Sequence, residues 1–435
     1  MTTRRRAHRT GASADHQPLS DHPAQAPRTG SPAGPNRHRL LLLPLFFLFL
    51  LAASFVLYRR FSASLDATSP PLSVYERGLV KTDASFQEVL TEHAKVSANR
   101  SVRHFPNPVL AYITPWNSRG YDMAKLFSSK FTHLSPVWYD LKSEGKKLVL
   151  EGRHNADLGW ISELRMSGGS LLLPRVVLEA FPADLLQKKQ QWTKAIDIIV
   201  AECKDMGYDG IVLESWSRWA AYGVLHDPDM RRMALQFIKQ LGKALHSVNS
   251  MINANHHLEL IYVIPAPRSQ NLAEHDFGPL DLTELNDSVD GFSLMTYDFS
   301  GPQNPGPNAP LPWIRSCLHL LLGDNAQDGP HKHAHLIFLG INFYGNDFIL
   351  SQGAGGGAIT GRDYVSLLER HRPLLRWEEK SSEHFFIYSD NNVQHAVFYP
   401  SLMSISTRLD EARAWGASLS IWEIGQGLDY FFDLF

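Results

Sequence analysis

Six short stretches of this sequence gather aromatic rings, four of them beside a carboxylate, amide or thioether: Trp116-Asn117, Trp138-Tyr139, Glu214-Ser215-Trp216, Met295-Thr296-Tyr297-Asp298, Phe343-Tyr344-Gly345 and Trp422-Glu423. A Trp or Tyr ring offers a flat apolar face with a polar edge. Sugar rings stack on such faces, while carboxylates and amides hold their hydroxyls. Any one of these rings is as well explained by packing. Their recurrence at one place in a repeating pattern is what points to a saccharide groove.

That place is the end of a short apolar run. Runs at 109–114, 133–139, 171–178, 210–214, 258–265, 291–297, 336–343 and 419–422 read as strands. Amphipathic stretches such as 190–206, 231–248 and 401–415 lie between most of them. Strands alternating with helices imply a parallel sheet, and eight of them imply an α/β fold of the closed (β/α)8 TIM-barrel type. An open doubly wound sheet is the other arrangement with this pattern, but no Gly-rich phosphate fingerprint follows the first strand. Sites of such barrels lie at the carboxyl ends of the strands, where the aromatic stretches fall. The interval after the seventh strand is too long for one helix. A helix at 362–370 and runs at 374–377, 383–388 and 395–399 predict a small α+β insertion at about 346–417, between strands seven and eight, walling one side of the groove.

Other groups exclude other chemistry. Cys203 and Cys317 are far apart, have no metal-ligand spacing, and read as buried free thiols. His331-Lys332-His333-Ala334-His335 precedes a strand at the far end of the barrel and reads as a solvated loop. The 353–357 Gly-Ala-Gly-Gly-Gly run lacks the Lys-Ser/Thr of a phosphate cradle and reads as a flexible loop. No metal or cofactor is expected. The formal net charge of -2 gives no reason to expect a nucleic-acid partner.

The amino-terminal part differs in composition. Residues 1–39 are rich in Pro, Ser, Ala, Arg and His and read as a disordered basic head. Residues 40–58 (LLLLPLFFLFLLAASFVLY) carry no charge. A spanning helix needs about 20 apolar residues and a signal-peptide core about 7–15. The run therefore suits a single anchor through the membrane, and the Arg-rich head makes that a type II orientation. Cleavage near the small residues at 62–64 is the competing reading. Residues 59–105 read as a stem with a short helix within 85–96, and 106–435 as the barrel. The sequons at Asn99 and Asn286 fit a luminal domain. The expected location is the secretory pathway, as a type II membrane protein or a secreted or lysosomal luminal one, with a sorting receptor among the partners considered.

The strand ends also carry a resemblance. Tyr208-Asp209-Gly210-Ile211-Val212-Leu213-Glu214 resembles strand four of the family 18 glycoside hydrolases. Ser293-Leu294-Met295-Thr296-Tyr297-Asp298 is similar to their strand six, Leu339-Gly340-Ile341-Asn342-Phe343-Tyr344-Gly345 to strand seven, and Ser420-Ile421-Trp422-Glu423 to strand eight. The segments VLAYITPWNSRGYD, DGFSLMTYDFS, PGPNAPLPW, SEHFF and SIWEIGQGLDYFFDLF look closer still to one chitinase-like branch. The resemblance runs from about residue 75 to the carboxyl terminus and leaves out the head and the 40–58 run. It implies the barrel fold, contact of Tyr297 and Asp298 with an acetamido sugar, and stacking of Trp422 beneath the central sugar.

Active members carry D-G-x-D-x-D-x-E on strand four, and the last Glu protonates the glycosidic oxygen while the substrate's acetamido group attacks. Here Asp209-Gly210 matches, but Val212, Glu214 and Trp216 stand at the next three motif positions. Side chains alternate along a strand, so these three are expected on one face, with Glu214 about 6–7 Å below the position of the acid. The extra methylene of Glu over Asp spans little more than about an ångström. A general acid must approach its target to about 2.6–3.2 Å, so Glu214 is not expected to replace it. It is expected instead as a buried carboxylate hydrogen bonded inside the barrel, with Tyr297 and Asp298 as candidate partners. Trp216 reads either as a platform in the old catalytic slot or as packing that fills the mouth. The expected function is non-catalytic binding of chitooligosaccharides or other N-acetylated glycans. The expected contacts are Trp116, Trp138, Glu214, Trp216, Met295, Tyr297, Asp298, Tyr344 and Trp422. A glycosidase with residual or atypical activity, and a protein-binding scaffold with a filled groove, are the alternatives.

Overall fold

Eight short strands close on themselves in the computed structural model of the chain: β1 Val109–Ile113, β2 His133–Glu144, β3 Arg175–Leu178, β4 Gly210–Glu214, β5 Glu259–Pro265, β6 Gly291–Met295, β7 Ile337–Asn342 and β8 Ser418–Trp422. Each pairs in parallel with its neighbours, and β1 pairs with both β2 and β8, which closes the barrel. The structure describes residues 50–51, 53–55, 72–145, 147–250, 256–323, 332–350 and 355–435. The basic head lies outside these residues, as does all of the 40–58 run except 50–51 and 53–55, which are helical. Among the described residues no helix is long and apolar enough to cross a membrane.

The alternation of side chains divides two cores. Leu110, Tyr112, Leu173, Val212, Ile261, Val263 and Phe338 point inward and fill the barrel. Ile211, Leu213, Leu260, Leu294 and Leu339 point outward against the helices. The helices answer with one apolar face each. In Pro228–His246 the buried positions Met230, Ala234, Phe237, Ile238, Leu241 and Leu245 recur at intervals of three and four. Its start is set by Asp227, whose carboxylate accepts from the backbone of Asp229 and Met230, and by Pro228 in the first turn. Helix Lys189–Met206 stops at Gly207, in the left-handed conformation.

Several expectations are revised in detail. The 171–178 run is two pieces, Leu171–Leu172 and β3, because Pro174 has no N–H to give to the ladder. Strand β2 continues past residue 139 to Glu144 and turns back into Lys147–Glu151 as an antiparallel hairpin. The insertion between β7 and β8 is a five-stranded antiparallel sheet, ordered Gly355–Ile359, Gly345–Ile349, Val393–Phe398, Glu383–Asp390, Arg376–Glu378, with helix Gly361–His371. The first two of these strands were not expected. Gly355–Ile359 includes three of the glycines read as a flexible loop, and they pair with 345–349 instead. Residues 72–105, read as part of a stem, pack on the barrel. Tyr430 N–H donates to His93 O at 3.0 Å, and Ser97 N–H donates to Asp433 at 2.9 Å. Cys203 and Cys317 are buried free thiols, as expected.

Candidate functional site at the barrel mouth

The strand-four motif divides between the two ends of the barrel. Asp209 is fully buried at the amino-terminal end, where Arg165 donates to it at 2.7 Å and Leu172 N–H at 2.8 Å. Gly210 has φ 146°, and a Cβ there would lie 2.0 Å from the Glu259 carbonyl oxygen. Asp209 therefore serves the packing of the amino-terminal end, and Gly210 the close approach of β4 to β5, both away from the carboxyl-end mouth. Inward-facing Val212 follows, and then Glu214 at the carboxyl end.

Glu214 does not bond Tyr297 or Asp298. Its carboxylate is in ion-pair contact with the Arg175 guanidinium on β3, a residue the motif reading passed over. Both side chains are largely buried, at 13% and 18% exposure. Arg175 Cζ also lies 5.2 Å from the centre of the Trp422 ring, within cation–π range. Tyr112 approaches Trp422 at 5.3 Å, with its ring tilted by 55°. Below them Tyr112 Oη donates to Ser293 Oγ at 2.8 Å, and Ser293 Oγ donates to Ser420 Oγ at 3.2 Å. Burial lowers the pKa of Arg175, and burial together with the nearby Tyr112 holds the Tyr297 phenol well above its ordinary value.

On the other side of the mouth, Asp298 is exposed and adopts the left-handed conformation with φ 61°. Asp tolerates this better than most residues. Two bonds hold it there: its N–H donates to Asn308 Oδ1 at 2.7 Å, and its carboxylate accepts from the Tyr344 hydroxyl. Tyr344 meets Tyr297 edge to face at 6.3 Å. Burial, and then the Asp298 charge, push the Tyr344 phenol upward. Half-buried Met295 packs on the inner core with Trp422. Glu214, Met295 and Trp422 thus gather around Arg175 on one side of the mouth, and Tyr297, Asp298 and Tyr344 hold one another on the other, with the Tyr297 phenol within electrostatic reach of Arg175.

Three expected contacts lie elsewhere. Trp216 is fully buried and faces outward. Strand β4 ends at Glu214, and Ser215 (φ −150°, ψ −30°) breaks the alternation, so Trp216 opens helix Trp216–Ala221 rather than continuing the inward face. Its Nε1 donates to His275 O at 2.9 Å, Phe277 meets its ring at 5.0 Å, and Arg231 lies over it at 5.0 Å. It neither fills the mouth nor offers a platform there. Trp138 also faces outward, because Val137 takes the inward position. Its Nε1 donates to Tyr121 Oη at 2.7 Å, and it is 3% exposed. Trp116 is 71% exposed after β1. It lines a separate cleft of about 460 Å³ with Arg119, Thr360, Arg362 and Gln426.

Glu423 was also passed over as a functional group. Its carboxylate turns away from the mouth and accepts from Asn117 Nδ2 at 2.8 Å and Gly425 N–H at 3.0 Å. Burial raises its pKa to about 7. Sequence signal was available for Arg175, the single charge in the apolar 171–178 run. For Glu423 the sequence offered only its place beside Trp422 at a strand end, since its partner Asn117 is distant in sequence. Of the two sequons, Asn99 is exposed, whereas Asn286 caps helix Pro279–Leu285 and its Ser288 is buried.

An eight-stranded parallel barrel with a polar and aromatic patch at its carboxyl mouth defines a TIM-barrel protein with its candidate site in the usual place. Residues 181–427, more than half of the chain, match the profile of Glycosyl hydrolases family 18. The chain belongs to that family. A Cortical fragment-lytic enzyme from Bacillus anthracis is 30% identical over 142 residues, and one from Bacillus subtilis is 26% identical over 146 residues. Each match covers 32% of this chain and 32% of the relative, so the chain spans about a third of the length of the curated relatives it matches. The chitinase of Chromobacterium violaceum superposes with a TM-score of 0.60 at 20% identity, covering 76% of this chain and 98% of that one. The family 18 chitinase of Cycas revoluta, solved in complex with (GlcNAc)3, superposes at 0.60 with 15% identity, covering 75% and 97%. At these identities the likeness to solved structures is one of fold.

Proposed function

We propose that this protein is a non-catalytic, chitinase-like saccharide-binding barrel whose mouth recognises chitooligosaccharides or other N-acetylated glycans. The observation that carries the reading is the engagement of Glu214 with Arg175 beneath Trp422, with Trp216 turned into the outer core. An acid catalyst must bring a proton to the glycosidic oxygen, and a carboxylate committed to a guanidinium is poorly suited to that task. The half-buried Trp422 and the exposed Asp298, beside Tyr297 and Tyr344, remain for binding. The burial of Trp216 removes the feature that motivated the scaffold alternative. The (GlcNAc)3 complex of the Cycas revoluta chitinase supports the choice of N-acetylated ligands by kinship of fold. The resemblance of five segments to the branch of chitinase domain-containing protein 1 supports the same assignment. In this reading the barrel faces the lumen or exterior, residues 40–58 act as anchor or signal, and a sorting receptor is a further partner. The test is a chitooligosaccharide titration followed by Trp fluorescence, beside an assay with a fluorogenic chitobiose substrate. Saturable binding without turnover is expected. Turnover that disappears in Glu214→Gln would overturn the reading.

A further inference from the structure

A second constellation lies at the opposite, amino-terminal face of the barrel. His246 is the last residue of helix Pro228–His246, His257 stands just before β5, and Asp290 immediately precedes β6. The pairing of β5 with β6 brings the latter two together. His246 Nε2 lies 3.0 Å from Asp290 Oδ2, and His257 Nε2 lies 3.1 Å from Asp290 Oδ1. The two imidazole centres are 4.3 Å apart, and one donor atom from each of the three residues falls within 4.8 Å of the others.

We propose that His246, His257 and Asp290 form a divalent-cation site suited to Zn2+. Two imidazoles and one carboxylate are a ligand set that Zn2+ accepts, with bonds of about 2.0–2.2 Å and a fourth position left for water. Donor atoms around such an ion lie roughly 3.3–3.5 Å apart by tetrahedral geometry; here one donor atom from each residue lies within 4.8 Å of the others, and each imidazole already stands at 3.0–3.1 Å from its own oxygen of the shared carboxylate. The carboxylate is preset, because Leu260 N–H donates to Asp290 Oδ2 at 2.7 Å. Backbone support of this kind orients a ligand before the ion arrives. The three side chains are 24%, 42% and 23% exposed, so water can reach the fourth position. A second carboxylate, Glu259, stands nearby between His133 and His256, and the His256 ring stacks on His257 at 5.6 Å. The bound ion would tie the end of one helix to the starts of two strands, at the face of the barrel where stability rather than catalysis is set. Without an ion, the same groups hold one another as histidine–carboxylate pairs.

Calorimetric titration of the full chain with Zn2+ tests this. One equivalent is expected to bind saturably and to raise the melting temperature. His257→Ala and Asp290→Asn should each weaken binding by more than about 10-fold, since even residues behind the ligands are worth that much. Co2+ should give the visible absorption of a tetrahedral nitrogen–oxygen site, and Asp290→Asn, which keeps the side chain's shape, should abolish it. A His333→Ala/His335→Ala variant should bind as the parent does. The proposal is overturned if no saturable binding occurs, or if His246→Ala/His257→Ala binds Zn2+ as tightly as the parent.

Discussion

Arg175 reaches diagonally across the sheet to Glu214: the β3–β4 register sets Arg175 beside Val212 and Glu214 beside Val177, so the pair spans two positions on the inner face. Its two charges are largely withdrawn from water. Breaking such a pair by removing one partner typically costs about 3–5 kcal/mol, whereas replacing both with apolar groups is often neutral. Arg175→Met and Glu214→Gln should therefore each lower stability in denaturant titrations, and Arg175→Met/Glu214→Met should recover most of the loss. Additive losses in the double variant would mean that the two groups act independently.

Trp216 and Trp422, two of the four tryptophans expected at the mouth, should separate by what they affect. Trp216 is fully buried, and Trp216→Ala is expected to cost about 3–5 kcal/mol of stability, with little change in chitooligosaccharide affinity wherever the variant is folded. Trp422→Ala should do the reverse, lowering affinity roughly tenfold for the loss of one ring stack. Fluorescence titration and thermal melts on the same samples distinguish the two. Unchanged affinity in Trp422→Ala would place the groove elsewhere, with the Trp116 cleft as the next candidate.

Glu423 should give stability a specific pH dependence. Burial, the largest influence on it, raises its folded-state pKa from 4.5 to about 7. A carboxyl raised on folding binds its proton more tightly in the native state, so its contribution is complete below about 4.5 and is lost as pH rises through about 7. The difference amounts to about 3 kcal/mol at most. Glu423→Gln should flatten the stability profile between pH 4.5 and 7 relative to the parent. Parallel profiles would show that this carboxyl does not titrate there.

Gly210 should not tolerate a side chain. A methyl group at this φ of 146° would overlap the Glu259 backbone, so Gly210→Ala is expected to cost more than about 2 kcal/mol. Ordinary expression and melting temperature for this variant would count against the close approach of β4 to β5.

The strands were legible in the sequence because a half-exposed helix and a doubly buried strand leave different periods. Gly210–Glu214 was bounded correctly at both ends. The insertion was less legible, since Gly355–Ile359 is built from glycines with no apolar pattern, and only its pairing with 345–349 makes it a strand. The inward or outward direction of a side chain was legible only while its strand continued. Trp138 fell one residue past an inward position, and Trp216 lay beyond the last residue of β4.

By itself the sequence determined a barrel and its family, because these depend on residue type and spacing along one chain. Only the tertiary structure decided that Glu214 meets Arg175, that Trp216 leaves the mouth, and that His246, His257 and Asp290 converge. Those relations join strands and helices that are remote in sequence. They are set by register and by where each strand stops, and hydrophobic periodicity carries neither.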